Sequence, residues 1–151
     1  MFLKILAITI TTFIFKTDKL SIYYPNYSHI EIIENNKNVL DDAAFVCSYP
    51  GELRLIKKGK IQKNSFTDDC GKHIVVAKLN NKICIIKSNN DQYLSTFVQI
   101  LKKIKVKEAI YIGTEDNCYF WCKQYTDKYI SHMPKINDFE QKLVFYEQCV
   151  E

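Results

Sequence analysis

The sequence predicts an α+β domain: a mostly antiparallel or mixed β-sheet with one principal amphipathic helix, Asp91 to Ile104, packed on it. Short apolar or alternating runs, each bounded by turn residues, recur along most of the chain and are typical of strands. A single stretch has apolar residues at helical spacing, which gives a helix one apolar face. A short apolar run, Ala109–Ile112, follows and ends at Gly113, as a buried strand would. The apolar helical positions are Leu94, Phe97, Val98, Leu101 and Ile104.

The strands are predicted in order from turn residues and apolar alternation. LSIYY and HIEIIE come first, and an AAFV run then leads into CSYPG. Two hairpins follow, with turns at Lys58–Gly59 and at Asn80–Asn81. Asn90 and Asp91 are suitable cap residues for the helix. An aromatic strand, CYFWCKQY, follows the polar turn GTEDN, and the last run, FEQKLVFYEQC, fits either a strand or a short terminal helix.

Length and composition indicate one domain, residues 20–151, with a core of its own. The chain has 151 residues, of which 47% are hydrophobic, so it is neither disordered nor fibrous. The net charge is +4, and Arg54 is the only arginine. Because nucleic-acid recognition depends heavily on arginine, a specific nucleic-acid partner is disfavoured. We interpret the lysines as solvated surface. The sequence does not indicate an oligomeric state.

The amino-terminal residues 1–19 have two interpretations. An apolar run follows Lys4 and has the size of a signal-peptide core, which would make the protein secreted or periplasmic. The run is too short for a transmembrane span. The same run partly alternates, as ITITTFIF, and this pattern suits a first core strand of a cytoplasmic protein. Both interpretations stay open.

The six cysteines do not form a recognisable metal motif. No CxxC pair is present, and Cys118 and Cys122 are four residues apart, so a zinc site would need two further ligands. The three histidines have no paired spacing with these cysteines. The simpler interpretation is that the thiols are small apolar side chains in the core. We therefore predict no metal and no cofactor.

Two stretches carry a resemblance to a known family. The chain reads PG-x-L-x-L-I-x-x-G-K-I from Pro50 to Ile61, and the helix then leads into VKEAIYIG, within Leu94–Ile112. This order resembles phosphodiester glycosidase domains, the family of the enzyme that removes N-acetylglucosamine from a sugar phosphodiester. The resemblance covers about Asp41 to Trp121. It implies a hydrolase acting on a sugar phosphodiester or related glycoside, with a carbohydrate or sugar-phosphate ligand.

The chain departs from the family at two glycine-rich segments. Where the family has Asn-Gly-Gly-Phe-Phe, this chain has Val46–Tyr49, and where it has Asp-Gly-Gly-Gly-Ser, this chain has Gly113–Asn117. Glycines let a backbone approach a ligand closely or adopt positive φ, which side chains restrict. The alternative is therefore a catalytically degenerate member of the same fold that serves as a binding or structural module.

The candidate catalytic residues are Glu115 and Asp116, which follow the predicted strand. Glycoside cleavage needs a proton donor and a second carboxylate, and these residues would supply such groups. Tyr119 and Trp121 would stack on a sugar ring. The alternative is ordinary turn chemistry for the acidic run and a core position for the aromatic residues. The remaining candidates for binding substrate are Cys47, Ser48, Tyr49, Gly113, Thr114 and Asn117.

Overall fold

The described part of the chain is mostly antiparallel β-sheet with a single helix, which confirms the predicted class at that level. This computed structural model describes residues 13–16, 19–34, 39–40, 42–63, 67–118, 120–122 and 141–147. The elements are β1 (Phe13–Lys16), β2 (Leu20–Tyr24), β3 (His29–Ile33), β4 (Ala43–Tyr49), β5 (Arg54–Lys57), β6 (Lys60–Ile61), β7 (Cys70–Gly71), β8 (His73–Leu79), β9 (Lys82–Ser88), β10 (Gln92–Tyr93), α1 (Leu94–Lys103), β11 (Glu108–Thr114), β12 (Phe120–Cys122) and β13 (Gln141–Tyr146).

The chain divides into two compact units. The helix unit comprises Ile14–Tyr24 and Glu52–Asn117, and the terminal unit comprises the described residues of Met1–Phe13, Pro25–Gly51 and Cys118–Glu151. The long sheet has the strand order β1-β2-β9-β8-β11-β5-β6, and a four-stranded sheet of the terminal unit has the order β12-β4-β13-β3. The single domain expected over residues 20–151 stays a prediction.

Both predicted hairpins of the helix unit are confirmed. β5 and β6 pair antiparallel around Lys58 and Gly59, and β8 and β9 pair around Asn80 and Asn81. All four turn residues have positive φ, between 51° and 78°. Two-residue turns of this kind match the right-handed twist of the strands that they connect.

The apolar face of α1 covers one side of this sheet, as its spacing predicts. Leu94, Phe97, Val98 and Leu101 are buried on that face, and Ile104, just after the helix, is partly buried. The sheet contributes apolar side chains to the same core from alternate positions of its strands. These side chains include Leu20, Ile22, Leu55, Val75, Ala77, Ile86 and Ala109.

The helix begins at Leu94, so the predicted start at Asp91 is wrong. Gln92 and Tyr93 are extended and pair with the short strand β7, which removes them from the helix. The predicted cap residues Asn90 and Asp91 are not the cap. Asp68 instead accepts a hydrogen bond from the Ser95 backbone N–H (2.8 Å) and another from the Ser95 hydroxyl (2.9 Å). A carboxylate from a distant loop thus satisfies the helix start.

The terminal unit is organised around β4, which lies between β12 and β13. Residues 43–48 of this strand are all buried, because both of its faces are covered. One apolar cluster joins Val46 to neighbouring strands and to Trp121. The last run of the sequence forms β13, so the strand alternative is correct there. Residues 1–12 and Tyr119 lie outside the described residues; Phe13–Lys16 of the amino-terminal run forms strand β1.

Candidate functional site

The predicted acidic turn lies at the end of β11, which is longer than predicted. Gly113 and Thr114 belong to the strand and pair with Ile74 and His73 of β8. The register shifts at Gly113, whose φ is +150°. Such a bulge conformation favours glycine. The structure thus gives Gly113 a role in strand geometry that needs no ligand.

Glu115, a predicted catalytic residue, forms ion pairs with two lysines. Lys87 Nζ donates a hydrogen bond to Oε1 at 3.2 Å, and Lys72 Nζ lies 3.6 Å from Oε2. The Glu115 backbone N–H also donates to the Lys72 carbonyl at 2.9 Å. The hydrogen bond from Lys87 is the largest cause that lowers the pKa of Glu115. The carboxylate is therefore ionised at neutral pH, and its side chain is 39% exposed.

The rest of the turn is exposed to solvent. Asp116 and Asn117 are both exposed, and the Asn117 N–H donates to the Thr114 carbonyl at 3.0 Å, which closes a β-turn. Glu115 and Asp116 are thus both exposed carboxylates. The turn therefore lacks the pair of carboxylates in contrasting environments that divides acid and base roles in glycosidases.

Beneath this turn is a buried histidine that the sequence did not single out. His73 is fully buried, and its Nε2 lies 3.0 Å from the Asp69 carbonyl and 2.9 Å from the Gln92 carbonyl. Because carbonyl oxygens only accept hydrogen bonds, Nε2 carries a proton. In the neutral ring Nδ1 then accepts from the Tyr111 hydroxyl, 2.8 Å away. The ring also lies against Phe97 of the helix.

His73 therefore connects the loop before β7 with β10, β11 and α1. No spacing motif identifies it, because two of its three hydrogen-bond partners are backbone carbonyls, which carry no sequence signal, and the third, Tyr111, lies 38 residues away. Its single sequence signal is its position as the first residue of an apolar strand.

The end of β11 near His73 is tightly packed. A Cβ at Gly71 would lie 2.9 Å from Thr114 Cγ2. Thr114, a predicted binding residue, is part of that packing.

The other predicted candidates lie in the terminal unit, inside its sheet. Cys47 and Ser48, which the sequence predicts to bind substrate, lie within β4 and are buried. Burial is the main cause that raises the pKa of the Cys47 thiol well above its usual value. The Ser48 hydroxyl donates to Cys118 Sγ at 3.7 Å. Neither side chain is an activated nucleophile here, and Tyr49 is only half-buried at the end of the strand.

Trp121 has a core position, the alternative that the sequence left open. It lies opposite Val46 in the pairing of β12 with β4 and is 8% exposed. It belongs to one buried apolar cluster with Val46, Val144 and Tyr146. A buried indole offers no open face on which a sugar ring would stack.

A groove of about 410 Å³ opens beside the helix. It lies between the carboxyl half of α1 and the sheet of the helix unit, and its lining is mostly apolar. None of the predicted site residues contributes to it. The lining residues are Lys19, Leu20, Ile22, Leu79, Asn80, Ile100 and Ile104.

A metal site and a membrane-spanning helix each place requirements on the part of the chain that the structure describes. Within it, no group of three or more histidine, cysteine, aspartate or glutamate side chains could hold a metal ion. Within the same residues, no helix reaches the length and apolarity that crossing a bilayer requires, and α1 has ten residues. No family model, curated protein or solved structure matches this chain.

Proposed function

We propose that this protein is a non-catalytic binding module, built on a β-rich fold like that of the phosphodiester glycosidase domains that its sequence resembles. The observation that carries the proposal is the environment of Glu115. A general acid in a glycosidase needs a raised pKa, which burial supplies. The contacts of Glu115 with Lys87 and Lys72 act in the opposite direction, and the carboxylate is open to solvent.

The second candidate is a hydrolase of sugar phosphodiesters. One feature favours it: Lys72 and Lys87 flank the end of β11, and their ammonium groups would attract a phosphodiester anion. In that case Glu115 would exchange its ion pairs for a contact with the substrate.

Incubation with the methyl diester of a sugar 1-phosphate distinguishes the two candidates. The intact protein is compared with the double variant Glu115→Gln, Asp116→Asn and with Asp91→Asn, which removes another exposed carboxylate of the same unit. We expect no release of sugar from any of the three. Release by the intact protein would overturn the proposal. If that release were lost only in the double variant, the hydrolase candidate would replace it.

A further inference from the structure

Seven lysines lie on two neighbouring segments of the helix unit, although the sequence disperses them over fifty residues. All seven are exposed. Three come from the hairpin β5–β6, and four come from the carboxyl end of α1 and the segment that leads into β11. We refer to them as the lysine face: Lys57, Lys58, Lys60, Lys102, Lys103, Lys105 and Lys107.

Backbone contacts bring the two groups together. Lys102 Nζ donates to the Gly59 carbonyl at 3.1 Å, and the Gly59 N–H donates to the Lys107 carbonyl at 2.9 Å. Within the hairpin, Lys57 lies directly opposite Lys60. The seven ammonium groups are therefore carried by two elements held in direct contact.

Described carboxylates neutralise little of this charge. Glu108 is close to the lysine face, where it accepts from the Lys58 N–H at 2.8 Å, but it also forms an ion pair with Arg54. Arg54 pairs with Glu52 as well. Other described acidic residues of the unit lie at the opposite end of α1 or beside it. The Asp68 carboxylate accepts from Ser95 at the helix start, where the Asp69 backbone carbonyl accepts from the Leu94 N–H. Glu115 forms ion pairs with Lys72, just before β8, and with Lys87 of β9. Positive charge is thus concentrated at one end.

Two of these lysines occupy backbone positions where a lysine is unfavourable. Lys58 has φ of 51° in the hairpin turn, and Lys105 has φ of 71° just after α1. At the helix end the Val106 N–H donates to the Leu101 carbonyl and the Lys105 N–H to the Lys102 carbonyl. This pattern normally places glycine at the left-handed position, and hairpin turns of this type favour asparagine there.

The helix dipole does not explain the lysine face. Lys102 and Lys103 lie in the last turn of α1, where positive charge is favourable. The hairpin lysines lie on a different element, which the dipole of α1 does not explain. A glycine at position 105 would adopt the same φ without strain, so the fold does not require Lys105. Residues held in disfavoured conformations are typical of functional positions.

We propose that the lysine face binds the surface of an anionic phospholipid membrane. This inference names the partner of the binding module and rests on that proposed function. Lysine is a hydrated point charge suited to many separate headgroups, whereas nucleic-acid recognition uses arginine forks and aromatic stacking. The lysine face has neither. Each lysine near an anionic bilayer contributes attraction that falls off within a Debye length. Among the described residues, the exposed large apolar side chains are those of Ile32, Leu40 and Tyr93, and none of them belongs to the two segments that carry the lysine face. Binding is therefore electrostatic and reversed by salt.

The test measures partitioning onto sedimented vesicles of phosphatidylcholine, with and without phosphatidylserine, at two salt concentrations. The intact protein should bind only the phosphatidylserine vesicles and be released at high salt. Lys58→Asn and Lys105→Gly together should weaken binding about 25-fold, at roughly fivefold per lysine. The midpoint of thermal unfolding should rise in the same double variant, because both changes relieve strain, so a folding defect cannot account for the loss.

Two control variants distinguish the effect of lost positive charge from the effect of a changed backbone preference. Asn81→Gly makes a similar backbone change in the other hairpin turn without loss of charge, and Lys19→Gln removes a charge outside the lysine face. Both should bind like the intact protein. Three outcomes would each overturn the inference. The double variant could bind phosphatidylserine vesicles as tightly as the intact protein, or the intact protein could bind phosphatidylcholine vesicles equally well. The intact protein could also bind duplex DNA or single-stranded RNA more tightly than the vesicles at the same salt concentration. Sugar release in the diester assay would overturn the binding module separately, since that assay leaves the lysine face unchanged.

Discussion

Replacing His73 by leucine should destabilise the helix unit more than any surface change. Leucine keeps an apolar contact with Phe97 but forms no hydrogen bonds. The Asp69 carbonyl keeps its bond from the Leu94 N–H (3.0 Å), so it stays satisfied. The Gln92 carbonyl and the Tyr111 hydroxyl lose their bonds to the ring. Each buried polar group left unsatisfied costs roughly 1–3 kcal/mol. Tyr111 is half-buried and reaches water more easily, so we expect a loss of about 2–3 kcal/mol in the free energy of unfolding.

The assay must report on the helix unit. Trp121, the only tryptophan, lies in the terminal unit, so its fluorescence is a poor probe. Hydrogen exchange of the amides in β8 and α1 under native conditions measures the opening free energy of the helix unit directly. The variant Tyr111→Phe should cost about 1 kcal/mol, and the double variant should cost less than the sum, because both changes remove the same bond. A loss below about 0.5 kcal/mol for His73→Leu, or strict additivity, would refute the proposed network.

Two further predictions concern packing and pH. Gly71→Ala should destabilise the helix unit by about 1–3 kcal/mol, because its Cβ would meet Thr114 Cγ2 at 2.9 Å. Adding Thr114→Ser removes that methyl group and should restore most of the stability in urea denaturation; no recovery would contradict the packing. For Glu108, the hydrogen bond from the Lys58 N–H is the largest cause that lowers the pKa, with Arg54 adding to it. A carboxyl whose pKa is lower in the native state than in the unfolded state stabilises the native state at pH values above its unfolded-state pKa. This stabilisation is lost as the pH falls through the native-state pKa. The urea midpoint of Glu108→Gln should therefore fall less between pH 6 and pH 3 than that of the intact protein. An equal fall in both proteins would show that Glu108 does not contribute to the pH dependence of stability.

The hairpins and the helix face were predictable because their signals are local. A two-residue turn between apolar runs fixes the pairing of its own strands, and a 3.6-residue period fixes which side of a helix is buried. Leu94 to Leu101 and the turn at Asn80–Asn81 follow these rules. Neither prediction requires knowledge of a distant residue.

The features that could not be predicted depend on partners far apart in the sequence. The cap of α1 comes from Asp68, which lies 27 residues before Ser95, whose amide and hydroxyl groups it accepts from. The ring of His73 bonds to backbone carbonyls, which carry no sequence signal. The burial of Cys47, a predicted binding residue, could not be predicted because the sequence of one strand does not reveal what covers it. Cys47 lies in β4, between β12 and β13, and both faces of this strand are covered.

The two hairpin turns of the helix unit have the same backbone geometry but are built from different residues. Both turns have two residues with positive φ between paired antiparallel strands. One uses Asn80–Asn81, as local preference favours, and the other uses Lys58–Gly59. Since the same backbone geometry is reached with asparagine in one turn, the fold does not require lysine in the other. A departure from local preference without a structural cause is expected where a residue serves function. Lys58 lies on the lysine face together with Lys105, which makes the same departure at the end of α1, and positive charge is the property that the two residues share.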